Sequence, residues 1–203
     1  MEKKSTVREP VQKRSMEKKE QISKAGFELF CEKGFHKTNT TEIATRAGVS
    51  TGALYSYFRD KRDIYIASFE QYIQSLSGTL FSKLDALSCP FTIAAFAELW
   101  VTEYLNVFGE SGKAFTQLRT IMLEDEVIKK HFCNFENDYF GKILSILISG
   151  GIVTENMFMK VYLSSVLIDA LNNEYAGSLH EGLDFKSLQR ETEKMIQQVF
   201  AKE

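Results

Sequence analysis

Proline is scarce in this sequence, cysteines are few and odd in number, and no apolar run is long. Only Pro10 and Pro90 occur in 203 residues, and valine-rich alternating stretches are rare, so the chain reads as mostly helical. No apolar run reaches the ~18 residues of a membrane span. The longest, residues 143–153, is broken by Ser149-Gly150-Gly151. The N-terminus is basic but lacks the apolar core of a secretory signal, so a cytoplasmic location without membrane attachment is expected. Cys31, Cys89 and Cys133 show no CxxC spacing, which excludes a disulfide scaffold and a zinc site. They are expected to be reduced thiols that pack as small hydrophobes. No GxGxxG, GxxxxGK[ST], HExxH or GxSxG occurs. His131 and Cys133 are two apart and would point away from each other on a helix. Glu124-Asp125-Glu126 reads as a helix junction and not as an acid/base pair. No catalytic residue, metal or cofactor is expected, and the chain does not read as an enzyme.

What is present is an uneven charge. The net charge is −2, yet residues 1–62 carry 14 Lys/Arg against 8 Asp/Glu, and residues 63–203 carry 11 against 19. A basic first third on an acidic remainder fits a DNA-reading head on a body that does not touch DNA.

Residues 1–17 read as a flexible basic segment. Helical spacing of Ile22, Ala25, Leu29 and Phe30 predicts a first helix that starts near Val11 or Lys18 and stops at Gly34. Thr40 and Thr41 lead into a short second helix carrying Ile43 and Ala44. Gly48 supplies the bend, and Ser50 is the N-cap of a third helix expected over 51–58. Two short helices around a glycine turn are the helix-turn-helix pattern. Asp60 and Asp63 form a capping pair for a long helix to about Leu87, which Pro90 terminates. Five further helices are expected near 92–108, 112–124, 127–148, 155–177 and 185–202. The fold class is therefore all-α with about nine helices. It comprises a three-helix helix-turn-helix head over 18–62 and a helical regulatory and dimerisation domain over 63–203.

The run Gly34-Phe35, Thr40-Thr41, Ile43-Ala44, Ala47-Gly48-Val49-Ser50, Gly52, Leu54-Tyr55, Tyr57-Phe58 and Lys61 closely resembles the N-terminal domain of tetracycline-repressor (TetR) family regulators over about residues 20–66. The resemblance implies a homodimeric repressor that binds double-stranded operator DNA and releases it when a small ligand occupies the C-terminal domain. Its heads would enter successive major grooves of a palindromic site. An architectural or partner-controlled DNA-binding protein without a small-molecule effector is the alternative.

The residues expected on DNA are Thr40, Thr41, Arg46, Ser50, Thr51, Gly52, Ala53, Tyr55, Tyr57 and Lys61. Thr40 and Thr41 offer hydroxyls and amides to phosphate, and Thr51 and Ala53 suit a thymine methyl. Arg46 is the candidate charged base contact, since the second helix of the motif has no Arg or Gln. The resemblance puts Tyr55 and Tyr57 on DNA and Lys61 on phosphate. Phe96, Trp100, Tyr104, Phe115, Arg119, Phe140 and Tyr162 are the candidates for an effector site, and their aromatic density fits a ligand with a large apolar part. Val161, Ser165, Ile168, Asn172, Met195 and Val199 repeat at helical spacing and are the candidate dimer surface.

Overall fold

The computed structural model describes residues 8–177 and 180–201, with side chains from residue 13 onward. Nine α-helices and one 3-10 turn make up the described residues: α1 (Arg8–Lys33), α2 (Thr40–Arg46), α3 (Thr51–Tyr55), α4 (Lys61–Asp85), α5 (Ile93–Phe108), the turn Gly109–Ser111, α6 (Gly112–Glu124), α7 (Glu126–Ser149), α8 (Met157–Gly177) and α9 (Phe185–Phe200). The chain divides into two compact units, Met1–Gln74 and Ser75–Glu203, and the division falls within α4. Residues 1–7 of the expected N-terminal segment lie outside the described residues. Helix begins at Arg8, ahead of either expected start. Pro10 falls in its first turn, where a missing amide costs little.

In the first unit, Ile22, Leu29 and Phe30 of α1 are buried with Ile43, Ala44, Leu54, Ile64, Tyr65 and Phe69. Phe30 meets the Tyr65 ring edge-on at 4.8 Å, and Tyr65 stacks on Phe69 at 4.4 Å. A Cβ on Gly26 would come within 2.8 Å of Ser68 Oγ and 2.9 Å of Ile64 Cγ2, so glycine allows α1 and α4 this close approach. Val49, beside the bend at Gly48, is only half-buried. The third helix is shorter than its expected 51–58 span and ends at Tyr55. The amides of Ser56 and Tyr57 bond back to Ala53 and Leu54, three residues away, which tightens the chain into a turn. A helix this short does not hold by itself; the burial of Leu54 holds it.

In the second unit the core is built from Phe96, Trp100, Val101, Leu105 and Phe108 of α5 against Phe140, Ile143 and Leu147 of α7, Val161, Ile168 and Leu171 of α8, and Ile196 and Phe200 of α9. Thr92 caps α5 and Asp125 caps α7 through the amides of Val127 and Ile128. The expected junction at 124–126 is therefore a cap.

The face of α8 expected to meet a second chain is turned inward. Val161 and Ile168 are fully buried, Asn172 is buried in the same stripe, and the Ser165 hydroxyl donates to the Val161 carbonyl. Met159, Tyr162, Leu163 and Val166 form the exposed stripe instead. Because α8 is apolar nearly all round, spacing alone could not say which stripe faces the core. On α9, Met195 is exposed and Val199 half-buried. Cys89 is exposed, while Cys31 and Cys133 are half-buried; the thiol of residue 89 is therefore not a core hydrophobe. Among the described residues no helix is long and apolar enough to cross a membrane.

Candidate nucleic-acid interface

Short-range hydrogen bonds build the motif. Asn39 sits in extended backbone and its Oδ1 accepts the Glu42 amide at 2.9 Å, which caps α2. Gly48 adopts φ +64°, where other residues are strained. The Val49 amide reaches back to the Ala44 carbonyl. Ser50 then caps α3, its Oγ accepting from the Ala53 amide at 3.1 Å. The motif presents Thr41, Ser50, Gly52, Tyr55 and Ser56 as exposed residues, with Thr40, Thr51, Ala53 and Tyr57 half-exposed. Thr40 Oγ1 and the Tyr55 hydroxyl are 2.9 Å apart. This bond brings together two expected DNA contacts from different helices and ties the start of α2 to the end of α3.

Two expected cations are already engaged. The Arg46 guanidinium donates to Glu32 Oε1 at 2.5 Å and Oε2 at 3.0 Å, with Glu28 at 3.7 Å. These carboxylates push its pKa further up, Glu32 foremost. The pair lies at the surface, where ion pairs are worth about 0–1 kcal/mol, so a phosphate can displace it. Lys61 differs. Its Nζ donates to the carbonyls of Phe35 at 2.8 Å, Thr38 at 3.0 Å and His36 at 3.5 Å, and lies 4.3 Å from the Phe35 ring centroid. Burial holds its pKa below the usual lysine value. Thr38, itself buried, donates its hydroxyl to the Leu29 and Gly34 carbonyls. Thr38 ties the loop back to the last turns of α1, while Lys61 satisfies the carbonyls of the loop itself. Lys61 is thus placed as a clamp of the 35–38 loop, a role its sequence position did not reveal.

Arg59, which sequence reasoning missed, is 88% exposed in its side chain and pairs with Asp63, four residues on. Asp60 accepts the Asp63 amide at 2.9 Å, while Asp63 accepts the Arg59 amide at 3.1 Å. This reciprocal cap fixes the start of α4. The Arg59 hydrogen bond is the main reason the Asp63 carboxyl titrates below its usual value.

Two predictions arise here. The Glu28→Gln/Glu32→Gln protein should bind DNA several-fold more tightly than wild type, with a salt dependence steeper by about one counterion, because Arg46 is released. Equal affinities and slopes across a salt titration would remove Arg46 from the interface. Lys61→Met should lower stability by roughly 1–3 kcal/mol, the range for lost hydrogen bonds from a charged donor. Thermal unfolding measures this; an unchanged melting temperature with weakened DNA binding would instead assign Lys61 directly to phosphate.

The second unit places the expected effector residues unevenly. Phe96 and Trp100 are fully buried and Phe140 is buried, Tyr104 and Phe115 are half-buried, and Arg119 and Tyr162 are exposed. Trp100 donates its indole N–H to the Tyr139 hydroxyl at 3.0 Å. Arg119 and Tyr104 meet at Asp169: the guanidinium pairs with its Oδ2, and the tyrosine hydroxyl donates to its Oδ1 at 3.4 Å. Phe115 joins them through Phe108, which stacks on Tyr104 at 4.5 Å. Tyr162 is exposed and meets the Phe140 ring edge-on at 5.6 Å. Among the described residues no group of three or more His, Cys, Asp or Glu is placed to hold a metal ion.

Residues 22–67 match the model of bacterial regulatory proteins, tetR family. The HTH-type transcriptional regulator HbdR of Aromatoleum sp. (strain CIB) is 34% identical over 87 residues, which is 43% of this chain but only 37% of that protein. Two solved structures share the fold across most of the chain. The transcriptional regulator FadR from Bacillus subtilis in complex with stearoyl-CoA superposes with a TM-score of 0.65 at 20% identity, covering 87% of this chain and 96% of that one. A transcriptional regulator from Saccharomonospora viridis in complex with choline gives 0.68 at 15% identity, covering 89% and 96%. The fold thus accommodates unrelated ligands, and at these identities it carries neither ligand over to this chain.

Proposed function

From the match of residues 22–67 to the model of bacterial regulatory proteins, tetR family, we propose that the protein is a homodimeric transcriptional repressor that leaves a palindromic operator when a small molecule binds its second unit. The observation that carries this reading is the hydrogen-bonded pair Thr40–Tyr55 on an exposed, doubly capped helix-turn-helix. The N-terminal end of α3 meets base edges, as in other proteins of this motif. Tyr55 and Thr40 reach phosphate, and Thr51 and Ala53 offer methyl groups to thymine. With no Arg or Gln in α3, affinity comes chiefly from the backbone of the duplex and specificity from shape and apolar contact. A second copy packs on the exposed α8 stripe of Met159, Tyr162, Leu163 and Val166, together with Met195 of α9. Both units share α4, so a ligand that prefers one spacing of the paired heads shifts the population toward it. Selection of bound sequences from random DNA by the purified protein tests the reading. The expected product is an inverted repeat, bound by two chains, with half-sites about one helical turn apart. Enrichment of no sequence, or of an unpaired half-site bound by one chain, would overturn it.

A further inference from the structure

The first helix overhangs the head that it supports. Its buried residues begin at Ile22 and Ser23, while every residue from Lys13 to Gln21 is exposed. More than two turns of helix thus bury nothing, and their one apolar side chain, Met16, is 59% exposed. The charges on these turns are sorted by face. Lys19 and Lys18 precede Ile22 by three and four positions, and Ser15 and Arg14 by seven and eight. That spacing puts them on the side of α1 that carries Ile22. Lys13, Glu17, Glu20 and Lys24 take the opposite side, where four positions separate Lys13 from Glu17 and Glu20 from Lys24, the spacing at which opposite charges offset each other. The carboxylates are therefore confined to the outer side, and the charged residues on the Ile22 side are all cations.

The basic side is also the one turned toward the helix-turn-helix. α1 packs on α2, and Lys19 Nζ stands 5.8 Å from the ring centroid of Phe58, three residues past Tyr55. Elsewhere in this unit Lys33, Arg46 and Arg59 are held by carboxylates and Lys61 by carbonyls. The side chains of Arg14 and Lys18 make no ion pair or hydrogen bond with a described residue. A face of unpaired cations suits a polyanion; without an apolar stripe it does not suit a membrane surface. From Ile22 to Arg14 it spans about 12 Å at ~1.5 Å per residue, the length of about three or four phosphates on one strand.

We propose that the overhanging turns of α1 lie along the phosphates of the duplex just outside the half-site read by α3, with Arg14 and Lys18 as the contacts. The inference rests on the reading of the head as DNA-binding. Such contacts read no bases, so they add affinity whatever the flanking sequence. Full-length wild type, Arg14→Gln/Lys18→Gln and the charge-matched Lys13→Gln/Lys24→Gln are titrated across salt on two duplexes. One is cut at the outer edges of the selected inverted repeat, and the other carries about ten further base pairs on each side. On the long duplex Arg14→Gln/Lys18→Gln should bind at least tenfold more weakly than wild type. Its slope of log K against log salt should be smaller by about three to four, as two chains each lose two phosphate contacts at ~0.9 counterion apiece. On the short duplex it should match wild type, and Lys13→Gln/Lys24→Gln should stay within threefold of wild type on both. Equal affinities of wild type and Arg14→Gln/Lys18→Gln on the long duplex, an equal loss on both duplexes, or an equal loss in Lys13→Gln/Lys24→Gln each overturns the proposal and leaves the DNA-reading head in place. Failure of wild type to bind either duplex removes the head as well. Binding to phosphatidylglycerol vesicles that Arg14→Gln/Lys18→Gln abolishes, with no effect of the flanks, would assign the face to a membrane instead.

Discussion

Gly52→Glu should leave the protein folded and reduce its DNA affinity by two orders of magnitude or more. A Cβ added at Gly52 meets no atom within 4 Å, and the position is exposed in the first turn of α3. The added carboxylate therefore enters no packed region. It gains helix propensity over glycine and sits favourably at a helix N-terminus, so the melting temperature should hold or rise slightly. Against DNA the same charge faces phosphate at close range, where like-charge juxtaposition costs several kcal/mol and each ~1.4 kcal/mol is a factor of ten. In a dimer the penalty applies at both half-sites. Fluorescence anisotropy with the selected operator measures the loss, and circular dichroism confirms the fold. A Gly52→Glu protein that binds the operator as wild type does would move the interface off α3.

Trp100→Ala should be the most destabilising single truncation in the second unit. The indole is fully buried, tilted on Phe96 at 5.5 Å between ring centroids, and its N–H is bonded to Tyr139. Removing it leaves a cavity and strips the Tyr139 hydroxyl of its donor. Large-to-small changes of this kind cost about 3–5 kcal/mol. At about 2–4 °C per kcal/mol for a chain of this length, the melting temperature should fall by on the order of 10 °C. Trp100→Phe should cost less, since much of the volume remains. As Trp100 is the one tryptophan in the sequence, the wild-type indole fluorescence reports on this core alone, and the variants are followed by circular dichroism. A fall of under about 2 °C would mean that the core closes over the lost ring.

The head was legible in the sequence because its determinants are local. Gly48 and Ser50 mark a turn and a cap within a few residues of what they control, and Asp60 and Asp63 do the same for α4. The partners of the charged residues were not legible. Arg46 meets Glu32 across 14 positions of sequence, and Lys61 meets the carbonyl of Phe35 across 26. Spacing within a helix carries no trace of either. In the second unit Phe96 and Trp100, candidates for an effector site, are fully buried; their helical period alone does not tell core from pocket. On α8 that signal fails, because apolar residues cover both of its faces. Asp169 meets Arg119 across 50 positions, which no spacing rule joins.

Leu54 is the one buried residue in the five of α3. Thr51 and Ala53 are half-exposed, Gly52 and Tyr55 are exposed with only the Tyr55 hydroxyl tied to Thr40, and the ends of the helix are held by Ser50 and by the turn that follows it. These four positions can therefore be rewritten, by a drifting lineage or by an engineer, at little cost in folding free energy so long as position 54 stays apolar. What the protein reads and whether it folds are inherited through different residues of one short helix. A library randomised at those four sites would then consist largely of folded proteins that differ in their preferred operator.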